Sequence, residues 1–326
     1  MTAAFSQATT FMSRRPWLIA ALVAVAYGVR LNDAREFAEA AGNPFRMVLP
    51  PERQFLYGSP LPLFIGTYYV HNAVPAAAAY AFIQVIGAAL FLAGLLRAIG
   101  RDLDRETRTL ALTVLLASPL LVTLLFWIGK CDLYLLGFFL LLISSEAPAS
   151  RVALAILMLG SHRELATALL VVQLVMTRTR WRSTATGLIA GHVLLAAYAG
   201  MLSPEPASRV DYALANGARL ISLLLATPLL HLFTPALLAC LYAVMRTLRQ
   251  RHLAVIGVAF ALAMVTQDFT RVFTIVSTPL LIEMARVIAA TRPHAAVWVW
   301  PLALVQLHLA GSNLLWVHGV DIRVGQ

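Results

Sequence analysis

Apolar runs close to the length of a bilayer crossing recur along the whole chain, and only short polar clusters separate them. A hydrocarbon core is about 30 Å thick, and a helix needs about 20 apolar residues to cross it. Backbone polar groups in lipid must be paired internally, so helices are the expected element. Composition agrees, with 60% apolar residues and a mean hydropathy of +0.79, against about 45–50% apolar in soluble domains. The chain reads as an all-α polytopic membrane protein, one transmembrane domain over 1–326 with no separate soluble domain.

The net charge of +10 comes almost wholly from arginine, since Lys130 is the only lysine. A basic protein of this kind invites a nucleic-acid reading. The arginines form no single block, however, and recur between apolar runs as positive-inside anchors do. No nucleic-acid partner is expected. Cys131 and Cys240 lie in or beside apolar runs and share no metal-like spacing, so neither a zinc site nor a disulfide framework is expected. Arg14-Arg15 and the run from Trp17 to Val29 resemble a signal peptide, but the loop that follows reads better behind an uncleaved first helix.

The apolar runs give about eleven helices, near 16–31, 74–98, 109–129, 132–146, 152–161, 164–176, 184–202, 221–245, 253–267, 272–290 and 295–315. With the N-terminus cytoplasmic and the C-terminus extracytoplasmic, the dense arginine clusters all fall inside, as in a bacterial inner-membrane protein. The segments 32–73, 130–132, 162–164, 203–220 and 268–271 then fall outside. Residues 152–176 could be one span, but that would leave His162, Arg163 and Glu164 in mid-bilayer and throw Arg178, Arg180 and Arg182 outside. Charge bias favours a hairpin with its tip at His162. Its arms are short, so the tip should be sunk below the outer surface, where non-helical backbone requires a cover of protein or a wet crevice.

Two outer loops are long enough to fold. Loop 32–73 begins with Asn32, Asp33 and Glu36 ahead of Gly42, the marks of a short helix, and Ala34, Phe37, Ala38 and Ala41 give it an apolar face for the interface. The aromatic residues Phe55, Tyr57 and Phe64 suit the headgroup region, and loop 203–220 carries a helical pattern of its own.

Chemistry concentrates at the outer helix ends. Asp33, with Glu36 three residues on, can act as a general base toward a hydroxyl, ligate Mg or Mn through oxygen, or simply cap a helix. Lys130 and Asp132 flank Cys131; a lysine is a compact charge for phosphate, or half of a local ion pair. His162, Arg163 and Glu164 combine a phosphate fork with a group that titrates near neutrality, against the plainer reading of a neutralised turn. Asp268 and Arg271 can pair at i, i+3, or Asp268 can cap the following helix. Gln84, Gln173, His192, His231 and Gln306 read as helix–helix hydrogen bonds.

An acidic residue opening the first outer loop, with an interfacial helix behind it, resembles the GT-C superfamily of polyprenyl-phosphate-sugar-dependent glycosyltransferases. Gly129-Lys130-Cys131-Asp132 looks like the Gly-Lys-x-Asp stretch of some mannosyltransferase-like members. His162-Arg163-Glu164 and Asp268-x-x-Arg271 are similar to polar helix-end positions in bacterial members. The resemblance implies Asp33 as catalytic base. It implies Lys130, Arg163 and Arg271, with His162, as the donor's phosphate site, and Glu36, Asp132, Glu164 and Asp268 as supporting groups. Asp33-Ala-Arg-Glu36 is not an Asp-x-Asp pair, so the use of Mg or Mn stays open. The implied activity moves a sugar from a polyprenyl-phosphate donor to a lipid or glycan acceptor hydroxyl in cell-envelope synthesis. A transporter or flippase for a lipid-linked or anionic substrate would need the same cations, although no matched halves are visible. An intramembrane protease is disfavoured, since no G-x-S-x-G element occurs.

Overall fold

The computed structural model describes residues 15–18, 20–21, 34–49, 57–71, 75–100, 102–126, 131–177, 180–203, 250–264 and 269–290. These residues are mostly helical, and none forms a strand beyond one isolated bridge between Arg46 and Ser203. The helices are α1 Ala34–Gly42, α2 Pro60–His71, α3 Ala76–Gly100, α4 Arg105–Leu116, α5 Pro119–Phe126, α6 Asp132–Ser144, α7 Pro148–Ser161, α8 Arg163–Met176, α9 Trp181–Met201, α10 Gln250–Met264, α11 Phe269–Val276 and α12 Thr278–Ala290. Among the described residues, two helical stretches, Ala78–Gly100 and Trp181–Met201, are long and apolar enough to cross a membrane. The apolar helices α6 and α7 are shorter.

The chain divides into two compact units, Arg30–Ala98 with Trp127–Ala215, and Met1–Val29 with Ile99–Phe126 and Asn216–Gln326.

In the first of these units, helix directions follow from side-chain register. Tyr134 Oη donates to Ile83 O at 2.6 Å. A Cβ on Gly87 would meet the Tyr134 ring, and one on Gly94 would meet Gly137 O at 2.7 Å. Thus α3 and α6 run parallel, with backbones closer than any side chain would allow. The link 145–147 turns the chain into α7, where Pro148 lies in the first turn, a position that requires no amide donor.

Helices α7 and α9 also run parallel. Arg151 meets Thr184, Gly187 faces Val152 and Ala155, and Gly191 faces Ile156 and Leu159. Small residues four apart let two backbones approach, as in membrane helix pairs. With α7 and α9 parallel, α8 must carry the chain back between them, and Arg180 Nη1 indeed reaches Ser145 O at 3.1 Å, beside the start of α7. The expected hairpin with its tip at His162 is present. Its arms are 14 residues each, about 21 Å of helix.

The first loop holds more structure than expected. The short helix near 34–42 forms, burying Phe37, Ala40 and Ala41, while α2 occupies the later part of the stretch read as outer loop 32–73. The two pack where Gly66 makes room for Phe37, and Thr67 Oγ1 donates to Ala41 O at 2.7 Å.

In the other unit, Asp104 caps α4 by accepting from Glu106 N at 3.0 Å and Thr107 N at 3.1 Å, a contact that stabilises a helix by about 0.5–2 kcal/mol. Helix α4 packs on α12, and α11 on both α10 and α5. Two expected spans are broken. The run 109–129 divides at Ala117-Ser118, ahead of Pro119, and 272–290 divides at Ser277, ahead of Pro279. In each case a proline lacks the amide that would continue the helix. The expected helices 221–245 and 295–315, and almost all of loop 203–220, lie outside the described residues; so does most of 16–31.

Candidate functional site

The helix directions sort one unit's polar groups onto two ends. At one end lie the hairpin tip, the N-terminus of α6, the C-terminus of α9 and helices α1 and α2. Leu61 of α2 approaches Gly160 just before the tip. Phe37 of α1 packs on Tyr80 at 5.0 Å, near the start of α3. The segment after α1 docks on the end of α9: Met47 N donates to Ser203 O at 2.9 Å and Ser203 N to Phe45 O at 3.2 Å, while Tyr198 Oη donates to Pro44 O at 2.7 Å. Phe45, Phe64 and Tyr198 form an aromatic triangle there, with centroids 5.6–6.1 Å apart. Tyr57 closes the same loop, donating to Arg46 O at 2.9 Å and accepting from Val48 N at 3.1 Å. Burial pushes its phenol above the ordinary value, so it remains a neutral donor. Arg97, Arg151, Arg180 and Arg182 belong to the opposite end.

His162 is one extended residue, φ −164° and ψ 100°, between two helices. Its amide donates to Met158 O at 3.0 Å and its carbonyl accepts from Ala166 N at 2.9 Å, so both helices fix it. The side chain is buried, with the residue 8% exposed. Its Nδ1 stands 3.4 Å from Glu164 Oε2 without forming a hydrogen bond. Arg163 is half exposed, its guanidinium 3.9 Å from Glu164 Oε1. No side chain caps α8, and Glu164 in its first turn complements the helix dipole. One turn on, Thr167 Oγ1 donates to Arg163 O at 2.7 Å and lies 3.0 Å from His192 Nε2 of α9. Since the hydroxyl proton is committed to the carbonyl, the imidazole is the donor in the second contact. The expectation that His192 bonds between helices is met.

Asp132 opens α6 and is 2% exposed. Cys131 before it is buried and adopts a left-handed conformation, φ 63° and ψ 11°. Among the described residues only Arg180 shares this among non-glycines, and the conformation costs a side-chain-bearing residue about 1–2 kcal/mol. Strain retained beside a buried carboxylate marks the turn after Lys130 as a functional candidate.

Of the other expected site residues, Glu36 lies half-buried in the first turn of α1. Arg271 is buried on α11, in the other unit. Asp33, Lys130 and Asp268 lie outside the described residues, as do His231 and Gln306. Among the described residues no group of three or more His, Cys, Asp or Glu side chains is placed to hold a metal ion.

Several polar residues behave differently from expectation. Gln173 bonds Thr177 within its own helix end rather than across helices, and the buried Gln84 amide has no hydrogen-bond partner among the described residues. Arg151, a lone arginine between apolar runs, is 3% exposed. His252, 1% exposed, pairs with Glu283 at 3.1 Å, and Arg251 joins at 3.6 Å. The one sequence signal for that cluster was a lone glutamate, Glu283, inside an apolar run.

Compared with protein-family models, with curated proteins and with solved structures, the chain matches none.

Proposed function

We propose that this chain is an integral-membrane glycosyltransferase of about eleven spans, its N-terminus cytoplasmic, which works on the extracytoplasmic face of a bacterial inner membrane. It moves a sugar from a polyprenyl phosphate to a lipid or glycan hydroxyl. The observation that carries this reading is the gathering of α1, α2, the strained Cys131-Asp132 turn and the His162-Arg163-Glu164 tip at one end of a helical unit, opposite Arg97, Arg151, Arg180 and Arg182.

Arms of about 21 Å are shorter than a hydrocarbon core of about 30 Å. The tip therefore sits within the membrane profile, where its polar groups require a wet, lipid-accessible recess. A donor with a phosphate head and a polyprenyl tail needs such a place. Lys130, His162 and Arg163 bind the phosphate in this reading, and Asp33 takes the acceptor's proton. Glu36, Asp132 and Glu164 set the charge around them. Exposed apolar residues along α9, such as Ile189, Val193 and Leu194, suit contact with acyl chains.

Purified protein incubated with a radiolabelled polyprenyl-phosphate sugar and membrane glycolipid should form labelled glycoside. Movement of intact donor across a vesicle membrane with no glycoside formed would replace the enzyme by a flippase.

A further inference from the structure

Of the two ring nitrogens of His162, only Nδ1 is sealed from solvent without a hydrogen bond, and its nearest ionic neighbour is the Glu164 carboxylate at 3.4 Å. A carboxylate on one side of an imidazole favours the tautomer with Nδ1–H. That leaves Nε2 as the nitrogen able to serve a ligand. The ring's setting is fixed. His162 is bonded into both helices, Leu61 lies beside Gly160, and Thr167 ties α8 to His192 of α9. Among the described residues the charged side chains paired at the tip are Glu164 and the half-exposed Arg163; His192 stands one residue away, across Thr167. Arginine cannot release a proton in a protein, whereas histidine does so near neutrality.

We infer that His162 is the general acid of the transfer, with Glu164 as the positioning residue that holds its ring with Nε2–H toward the leaving phosphate; this rests on the glycosyltransferase reading. As the acceptor oxygen forms its bond to the anomeric carbon, its proton passes to Asp33. The bond from the anomeric carbon to the phosphate oxygen breaks, and the electron pair leaves on that oxygen. The same oxygen takes the proton from His162 Nε2. The products are the glycoside, the protonated polyprenyl phosphate, neutral imidazole and the Asp33 acid, and solvent returns the proton from Asp33 to the ring.

The test compares wild type, Glu164→Gln and His162→Gln in transfer from a polyprenyl-phosphate hexose and pentose between pH 5 and pH 9. An acid must be protonated to act, so wild-type kcat should fall on the basic side. In Glu164→Gln that limb should remain with a lower kcat, since the ring is no longer held with Nε2–H toward the phosphate. In His162→Gln the limb should vanish, with kcat down about 10²–10⁴-fold. A basic limb that persists in His162→Gln, or an unchanged kcat in Glu164→Gln, overturns the inference. Nitrogen-15 spectra of labelled histidine read the pair without turnover. A neutral Nδ1–H ring whose tautomer changes in Glu164→Gln supports it, and an Nε2–H ring indifferent to the substitution overturns it even in an active enzyme. Wild type with the paired ring but no transfer from either donor overturns the glycosyltransferase reading and the acid role together.

Discussion

Arg151 Nη2 donates to Thr184 Oγ1 at 2.8 Å while its Nη1 donates to Leu142 O at 2.7 Å, so one buried guanidinium joins α7 to α9 and to the C-terminal end of α6. A cation at that end meets the negative pole of the α6 dipole. Arg151→Met keeps the length and removes the donors. It should destabilise the protein by about 1.5–3 kcal/mol, the range for hydrogen bonds to charged groups. Thermal unfolding in detergent measures this. Arg151→Lys should recover part of the loss, since it keeps the charge without the fork.

Gly187 and Gly200 share a helix but not a surrounding. A Cβ on Gly187 would lie 2.6 Å from Ala155 Cβ and 2.9 Å from Val152 O, whereas one on Gly200 would meet nothing within 4 Å. Gly187→Val should push α7 and α9 apart and lower the unfolding temperature, at a cost of about 1–3 kcal/mol or more. Gly200→Ala should be neutral or stabilising, by up to about 1 kcal/mol, through helix propensity alone.

The orientation of α9 can be read by labelling. Arg182 and Ser203 are both exposed and stand at opposite ends of this helix. In a background with Cys131 and Cys240 replaced by serine, an impermeant maleimide should label Ser203→Cys in intact cells and reach Arg182→Cys only after lysis. Labelling of both from outside would contradict a spanning α9.

Roles at the outer end separate by kinetics. Asp33→Asn retains shape but accepts no proton, so transfer should fall about 10²–10⁴-fold with donor binding little changed. Arg163→Ala should weaken donor binding by about 1.5–3 kcal/mol, through loss of a charge-assisted partner. Full transfer by Asp33→Asn would remove Asp33 from the catalytic role.

The sequence was legible wherever charge and hydropathy changed abruptly. The hairpin tip at His162 followed from arginine bias, because a continuous span would have buried His162, Arg163 and Glu164 while exposing the arginines on the wrong side. The α1 helix followed from its cap and its apolar stripe. Helix α2 was missed because Pro60 and Pro62 look like loop residues, although both sit in a first turn where proline is tolerated. The breaks at Ser118 and Ser277 were missed because hydrophobicity continues through them while only one proline amide is lost. Arg151 looked like any flanking arginine, since its burial depends on Thr184 of α9, 33 residues on. The Gly187-x-x-x-Gly191 spacing did carry a packing signal, legible only once α9 has a partner. At the site, Glu164 beside His162 was visible, but which ring nitrogen it faces depends on the backbone of the tip.

The central claim is that the tip end holds the donor's phosphate. A polyprenyl phosphate carrying a photoreactive group next to its phosphate tests it most directly, by irradiation with the protein and identification of the modified peptides. The account predicts adducts on 160–164 or on Pro60-Leu61, suppressed by excess unlabelled polyprenyl phosphate. Adducts confined to 145–151 and 180–184, at the arginine end, would contradict it.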